Sequence, residues 1–234
     1  PESWRKGVKM TEPNRQSGEN EERIIEIEIE RLRPFKEHPF QVKDDKEMFL
    51  LQESIEKYGI LNPLIVRPVP DGYYEIISGH RRKHAAEKLG YRKVPVIIRV
   101  LSEDDSILSM VDSNLHRERI SYSEKAFAYK LKNDVLKRKS GRKKSQVDYK
   151  ILRKRAIEII SEDCGDSPKQ VQRYISLTKL IPELLDLVDN KKLQFTVAVD
   201  ISYINKEVQE WIYEYISDTG FIKPTIICFS YIRT

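Results

Sequence analysis

The chain has 234 residues, with 42 Lys/Arg, 37 Asp/Glu, a net charge of +5, 39% hydrophobic and 34% charged residues. That composition suits a folded polypeptide long enough for one large domain or two modest ones, and no stretch approaches the roughly 20 apolar residues of a membrane-spanning helix. Residues 1–22 lack the apolar core of a secretory signal and read as a disordered polar leader. The two cysteines, Cys164 and Cys228, form no metal or redox spacing, so a reducing compartment, the cytoplasm by default, is expected.

In chain order, Ile24–Leu32 alternates apolar and acidic residues with period two, the pattern of a half-buried strand. Pro34 and Pro39 interrupt the next stretch, and Asp44 or Asp45 then caps a helix to Tyr58, with Met48, Leu51, Ile55 and Tyr58 on one face and Gly59 as its stop. Leu64–Val69 and Tyr73–Ser78 are strand-like runs joined by Pro70-Asp71-Gly72, a hairpin. A short helix spans Gly79 to Leu89 and ends at Gly90, and Val94–Leu101 is another strand. Ser102 with Asp105, and Ser121 with Glu124, form capping boxes for helices to about Asn114 and Lys139. A basic run, Lys137–Lys144, reads as a flexible joint, and helical periodicity resumes near Asp148 and continues to about Asp218. The expected architecture is an α+β domain over 23–120 followed by an all-α domain over 121–218, with an apolar tail over 219–234 of unclear role.

Charge is unevenly spread. Val135–Leu180 holds thirteen Lys/Arg against five Asp/Glu, so it stands at +8 and the remainder at −3. Such a basic middle fits a nucleic-acid surface, and equally a solvated helix and linker. Within it, Ile157–Gly165 reads as a helix ended by glycine. Ser167 caps a second helix with Pro168 at its first position. Ile160, Cys164, Val171 and Tyr174 are spaced to pack these helices across a short turn, the geometry of a helix-turn-helix (about 151–178). Lys169, Gln170, Gln172 and Arg173 then occupy the start of the second helix, where side chains reach base edges; Arg to guanine and Gln to adenine are the discriminating pairs. Arg142, Lys143 and Lys144 are expected to meet the DNA backbone. Leu184, Leu187, Val188, Leu193, Val197, Ile201 and Ile204 read as core, and Trp211, Tyr213 and Tyr215 as packing residues.

A second candidate site lies at Ser78-Gly79-His80-Arg81-Arg82-Lys83-His84, on a strand-to-helix junction. Glycine there lets backbone approach a ligand, the helix start offers N–H groups, and Arg81 and Arg82 are bidentate phosphate donors. Without an anion, a basic first turn opposes the helix dipole. Asp112-Ser113-Asn114-Leu115-His116-Arg117 lies further on, where Asn114 can ligate a metal-bound water or a phosphate oxygen and Arg117 can pair with phosphate.

The blocks IERLRPFKEHPF, SIEKYGILNPLIVRP, YYEIISGHRRKHAAEKLG and VDSNLHRERISYSEKAFAY, in that order, resemble the ParB family of DNA-partition proteins, and the helix-turn-helix with LTKLIPELLDLVDNKKLQFTVAVDISYI extends the resemblance over most of 24–215. It implies a ParB/sulfiredoxin-like fold that binds CTP with Mg²⁺. Gly79, His80, Arg81 and Arg82 would hold the triphosphate, Asn114 (near the metal) and Arg117 would close over it, and His38–Gln41 and Ile60–Pro63 would line the nucleoside side. It further implies partition of a plasmid, mobile element or chromosome, a homodimer, double-stranded DNA and a ParA-type ATPase as partners, and a nucleoid-associated location. Many members have Glu where this chain has His80 and Ser113; a serine hydroxyl does not supply a carboxylate's charge, which puts hydrolysis in doubt and leaves the catalytic residues unknown. No metal site built from protein side chains alone is expected. A site-specific transcriptional regulator with a vestigial pocket, and a small phosphotransferase, stay open as alternatives; sulfiredoxin chemistry is excluded because residues 1–163 hold no cysteine.

Overall fold

Alternating apolar residues over 24–34 build two strands rather than one. In the computed structural model, which describes residues 23–36, 38–40, 42, 44–115, 117, 120–140 and 156–219, β1 (Ile24–Glu28) gives way to a 3₁₀ turn (Ile29–Arg31) and then β2 (Leu32–Pro34). Ile27, Ile29 and Leu32 are all buried, so the apolar side runs through the turn with its spacing lengthened from two residues to three. Ile29 N–H still donates to the Arg92 carbonyl at 3.0 Å, in register with the pairing of β1, before the chain turns away. Ile24 and Ile25, at the start, stay exposed.

The remaining elements of this half are α1 (Lys46–Tyr58), β3 (Leu64–Pro68), β4 (Tyr74–Ser78), α2 (His80–Lys88), β5 (Lys93–Ile98) and α3 (Glu103–Leu115). The sheet order is β1-β5-β3-β4-β2, so the short turn carries the chain from one edge to the other. β1–β5 and β3–β4 are antiparallel; β3–β5 and β2–β4 are parallel. The hairpin turn has positive φ at Asp71 (66°) and Gly72 (75°), as the twist of a tight hairpin requires. Asp45 caps α1, accepting from Met48 N–H at 2.7 Å, and Met48 and Ile55 face inward with Ala85 of α2; Tyr58, expected on that face, is exposed. One side of the sheet buries Leu64, Val66, Ile76, Val94 and Val96 with Ala86, and Ile77 packs with Phe35, Phe40, Ile107, Met110 and Val111 of α3. Each fully buried Leu or Ile contributes about 1.5–3 kcal/mol relative to exposure.

The second half is helical: α4 (Tyr122–Ser140), α5 (156–164), α6 (Pro168–Leu177), α7 (Pro182–Asp189), α8 (Phe195–Ile201) and α9 (Lys206–Thr219). The Ser121–Glu124 box forms in full, while Ser102 caps α3 by accepting from Asp105 N–H at 3.2 Å. Ser102 Oγ donates to Asp105 at 2.6 Å, and Ser121 N–H donates to Glu124 at 3.1 Å while Glu124 N–H donates back to Ser121 Oγ at 3.2 Å. Helix α4 supplies Ala126 and Tyr129 to the core of the helical half and Ala128 and Val135 to the core against α3. Leu184, Val188, Leu193 and Ile201 are buried as expected, with Leu187 and Val197 packed against them. Trp211 (59% exposed) and Tyr215 (61%) are not packing residues; only Tyr213 of that trio lies against the core.

The basic joint is also revised where it is described. Lys137, Arg138 and Lys139 form the last turn of α4, where cations oppose the helix's negative end. Arg138 pairs with Asp104 at 2.8 Å and Lys139 with Asp105 at 2.5 Å, both on α3. Arg142, Lys143 and Lys144, like the leader and the apolar tail, lie outside the described residues. Among the described residues no helix is long and apolar enough to cross a membrane.

Candidate functional site

At the end of β4 the chain must turn from strand to helix within one residue, and Gly79 does so with φ at 107°. A Cβ there would stand 2.9 Å from Leu64 Cγ and 3.2 Å from an Arg82 nitrogen, so the position takes no side chain without displacement. Gly79 caps α2 with no side-chain acceptor, which leaves the N–H groups of the first turn available to a ligand. Around it opens a cleft of about 420 Å³ lined by Glu47, Leu51, Ser78, Gly79, Arg81, Arg82, Ser113 and Arg117.

Three guanidiniums face this cleft, each held differently. Arg82 donates to the carbonyls of Asn62 and Pro63 (2.8 Å to the latter) and so pins the loop before β3. Arg81 reaches Asp45 at 3.2 Å and Glu47 at 3.1 Å, both at the start of α1. Arg117 lies over the Phe40 ring, 5.8 Å from its centroid. Burial lowers the pKa of Arg82, and burial followed by the like charge of Arg81 lowers that of Arg117. Both cations therefore sit where an added anion is favourable. The other basic residues of α2 are satisfied locally: Lys83 by Glu87 at 2.5 Å, and His84 and Lys88 by Asp44 at 3.0 and 2.6 Å.

Two predicted nucleotide residues stand elsewhere. His80 is only 8% exposed, does not line the cleft, and lies against His38 with ring centroids 3.7 Å apart and the rings tilted by 40°. Burial, followed by the nearby His38, Arg117 and Lys83, pushes its pKa down to about 3, so its imidazole is neutral and brings no charge to a phosphate. At the first position of α2, His80 can offer a phosphate its backbone N–H, while its side chain packs against His38. Asn114 is 2% exposed, donates to the Met110 carbonyl at 2.7 Å, and leaves its Oδ1 buried without a partner. Ser113 lines the cleft instead, its hydroxyl donating to the same Met110 carbonyl at 2.9 Å. His38–Phe40 and Ile60–Pro63 are not among the lining residues; Glu47 and Leu51 of α1 are. The Asp45 cap, legible in the sequence, is the signal that sets Glu47 in the first turn beside Arg81. Among the described residues no group of three or more His, Cys, Asp and Glu converges as a metal site.

In the helical half, Gly165 (φ 73°) ends α5, with its N–H on the Ser161 carbonyl at 3.0 Å. Ser167 caps α6, accepting from Gln170 N–H at 3.2 Å. Ile160, Val171 and Tyr174 are buried between the helices and Cys164 packs against them. The turn is further held by Asp166, which accepts from Tyr129 Oη and pairs with Lys125, both at 2.7 Å. Lys169 and Gln172 are exposed and Gln170 and Arg173 half-buried, along one face of the start of α6.

Residues 13–115 match the sequence model of the ParB N-terminal domain. The nucleoid occlusion protein of Bacillus cytotoxicus is 30% identical over 212 residues, covering 83% of this chain and 69% of the relative. The chain belongs to the ParB family. It spans 62% of the length of several other Bacillus nucleoid occlusion proteins that it matches. A Pnob8-like ParB N-domain, 18% identical with a TM-score of 0.52, covers 85% of this chain and 82% of its own, and shares its fold. A C-terminally truncated ParB from Caulobacter crescentus, solved with CTP-γ-S, is 26% identical over 81% of this chain and 98% of its own, with a TM-score of 0.38. The fold is that of a ParB N-terminal α+β domain with helices after it.

Proposed function

We propose that this ParB-family protein binds a specific DNA site through α6 and is gated by CTP bound in the cleft at Gly79, acting in segregation of a chromosome, plasmid or mobile element. The observation that carries the reading is the convergence of Arg81, Arg82 and Arg117 on one cleft beneath a helix start whose N–H groups are uncapped by any side chain. A triphosphate suits those donors: bidentate guanidiniums, a positive helix end and a glycine that permits close approach. Mg²⁺ would accompany it and would supply charge neutralisation to the phosphates, with the unpartnered Oδ1 of Asn114 as a candidate acceptor for it or its water. Ser113, in the place where many members have Glu, favours binding over turnover. Lys169, Gln170, Gln172 and Arg173 would read bases, and Arg142, Lys143 and Lys144 would meet phosphates. A homodimer, a ParA-type ATPase partner and a nucleoid-associated location belong to the same reading.

The decisive test is equilibrium binding of CTP, ATP, GTP and UTP with Mg²⁺ to wild type and Arg81→Ala. CTP-selective binding that drops at least about tenfold in the variant, the cost of one lost charge-assisted hydrogen bond of about 1.5–3 kcal/mol, supports the reading. Folded protein that binds no nucleotide, with or without DNA, would sink it.

A further inference from the structure

Helix α4 carries two apolar stripes. Ala126 and Tyr129 belong to the core around α6, and Ala128 and Val135 to the core around α3. At 100° per residue, Lys132 falls between the stripes, on the seam of the two halves. Its side chain is 4% exposed, and its Nζ donates to Asp112 Oδ1 and Asp163 Oδ2, each at 2.7 Å. Asp112 stands on α3 directly before Ser113, which lines the cleft. Asp163 stands in the last turn of α5, four residues before the cap of α6.

The other ties of α4 are one-sided. Arg138 and Lys139 reach α3, while Lys125 and Tyr129 reach Asp166 at the α5–α6 turn. Lys132 holds both sides with one atom. Burial works against its charge, but the two carboxylates outweigh that effect and hold its pKa above the ordinary lysine value. Packing alone does not call for this arrangement, because an apolar side chain of similar volume seals a seam without desolvating an ammonium. A charge shared by two carboxylates on separate helices is a geometric device: moving either helix changes the bond to the other.

We propose that Lys132 is a positioning residue that transmits movement between the cleft end of α3 and the DNA-reading helix α6, through Asp112 on one side and Asp163 on the other. The inference rests on the reading of α6 as the DNA-binding element and extends it to the route by which the two sites communicate. A ligand on α6 biases α5, the Asp163 bond shifts, and Asp112 carries the shift to the turn bearing Ser113 and Asn114.

The test is amide hydrogen exchange of the full chain, free and bound to a duplex that the protein selects from a random pool. It compares wild type, Lys132→Met, Asp112→Asn, Asp163→Asn and the double Asp variant. Methionine keeps the length of the stem, and both aspartates are half exposed, so water takes over their solvation and the fold survives. In wild type, DNA is expected to change exchange over residues 108–115 by about 5-fold or more, the lower end of ordinary coupling between sites. In Lys132→Met the change falls below about 2-fold, with DNA affinity kept within about 3-fold. Either aspartate variant loses the response, and the double variant is no worse than either, since a relay broken once is already broken. A DNA response at α3 that persists in Lys132→Met overturns the inference and leaves the function standing. Aspartate effects that simply add, alongside matching losses of melting temperature, also overturn it in favour of plain structural support. Wild type that selects no duplex removes the DNA-reading assignment, and the relay with it.

Discussion

Helix α2 and helix α6 both begin beside a sharp turn and both carry Lys and Arg, yet they treat those charges in opposite ways. On α2 the basic side chains are already engaged: Arg81 by Asp45 and Glu47, Lys83 by Glu87, His84 and Lys88 by Asp44, and Arg82 by two carbonyls. On α6, Ser167 caps the helix and the Lys169–Gln172 face opens to solvent. A ligand at α2 would therefore have to exchange partners, whereas a ligand at α6 would meet Lys169 and Gln172 already open to solvent. On the proposed reading, the first arrangement would give selectivity through competition, and the second a surface that can be searched quickly along a polyanion.

The comparison can be broken most forcefully at Gly79. Gly79→Ala places a Cβ against Leu64 at a φ of 107°, and is expected to cost about 3 kcal/mol of stability, the upper end for strained backbone, with loss of nucleotide binding. Thermal melts with and without CTP check both effects. Arg173→Ala on α6 should leave stability alone and remove about 1–3 kcal/mol of discrimination between the selected DNA site and a single-base variant. Competition binding at fixed salt measures it, and unchanged discrimination would displace the reading helix from α6.

Acid should divide the halves further. His80, with its folded pKa near 3 against 6.5 when unfolded, stays neutral in the fold while the unfolded chain takes up a proton. Its contribution is intact above pH 6.5 and is lost as pH falls from 6.5 toward 3, on the order of 1 kcal/mol per pH unit. His38, lowered by burial, adds in the same direction. His80→Leu should flatten that limb in melts between pH 7 and 4, and an unchanged slope would contradict the burial of a neutral imidazole. The smallest effect belongs to Glu47→Gln, which removes one competitor for Arg81. CTP affinity should rise by up to about fivefold, the value of an exposed ion pair of no more than about 1 kcal/mol, and a fall in affinity would instead make Glu47 part of the binding set.

How much of the molecule is legible in its residues depends on distance along the chain. Caps, glycine stops and the hairpin are local signals, and Asp45, Gly59, Ser121 with Glu124, and Ser167 with Pro168 all behave as their chemistry prescribes. The pattern over 24–32 reads as one strand because alternate burial runs to Ile29; the 3₁₀ turn then moves the next buried residue to Leu32, and β2 pairs with β4, a partner far along the chain. The side chain of His80 escapes a sequence reading for a related reason. The motif shows which residue types crowd the helix start, while the direction of a side chain depends on the partner it meets, here His38. For Glu47 the sequence offers only the Asp45 cap that places it in the first turn of α1, since its pairing with Arg81 exists only once α1 lies against α2. Trp211 and Tyr215 show the reverse error, since an aromatic pattern alone does not say whether a helix face is covered.

The two-sided character of α4 has a consequence for how the molecule comes apart. Because Ala126 and Tyr129 serve one core and Ala128 and Val135 the other, a cut anywhere along this helix strips apolar surface from both halves at once. Neither half can then lose its order without withdrawing support from its neighbour, so heating should dismantle the sheet and the helices in a single cooperative step.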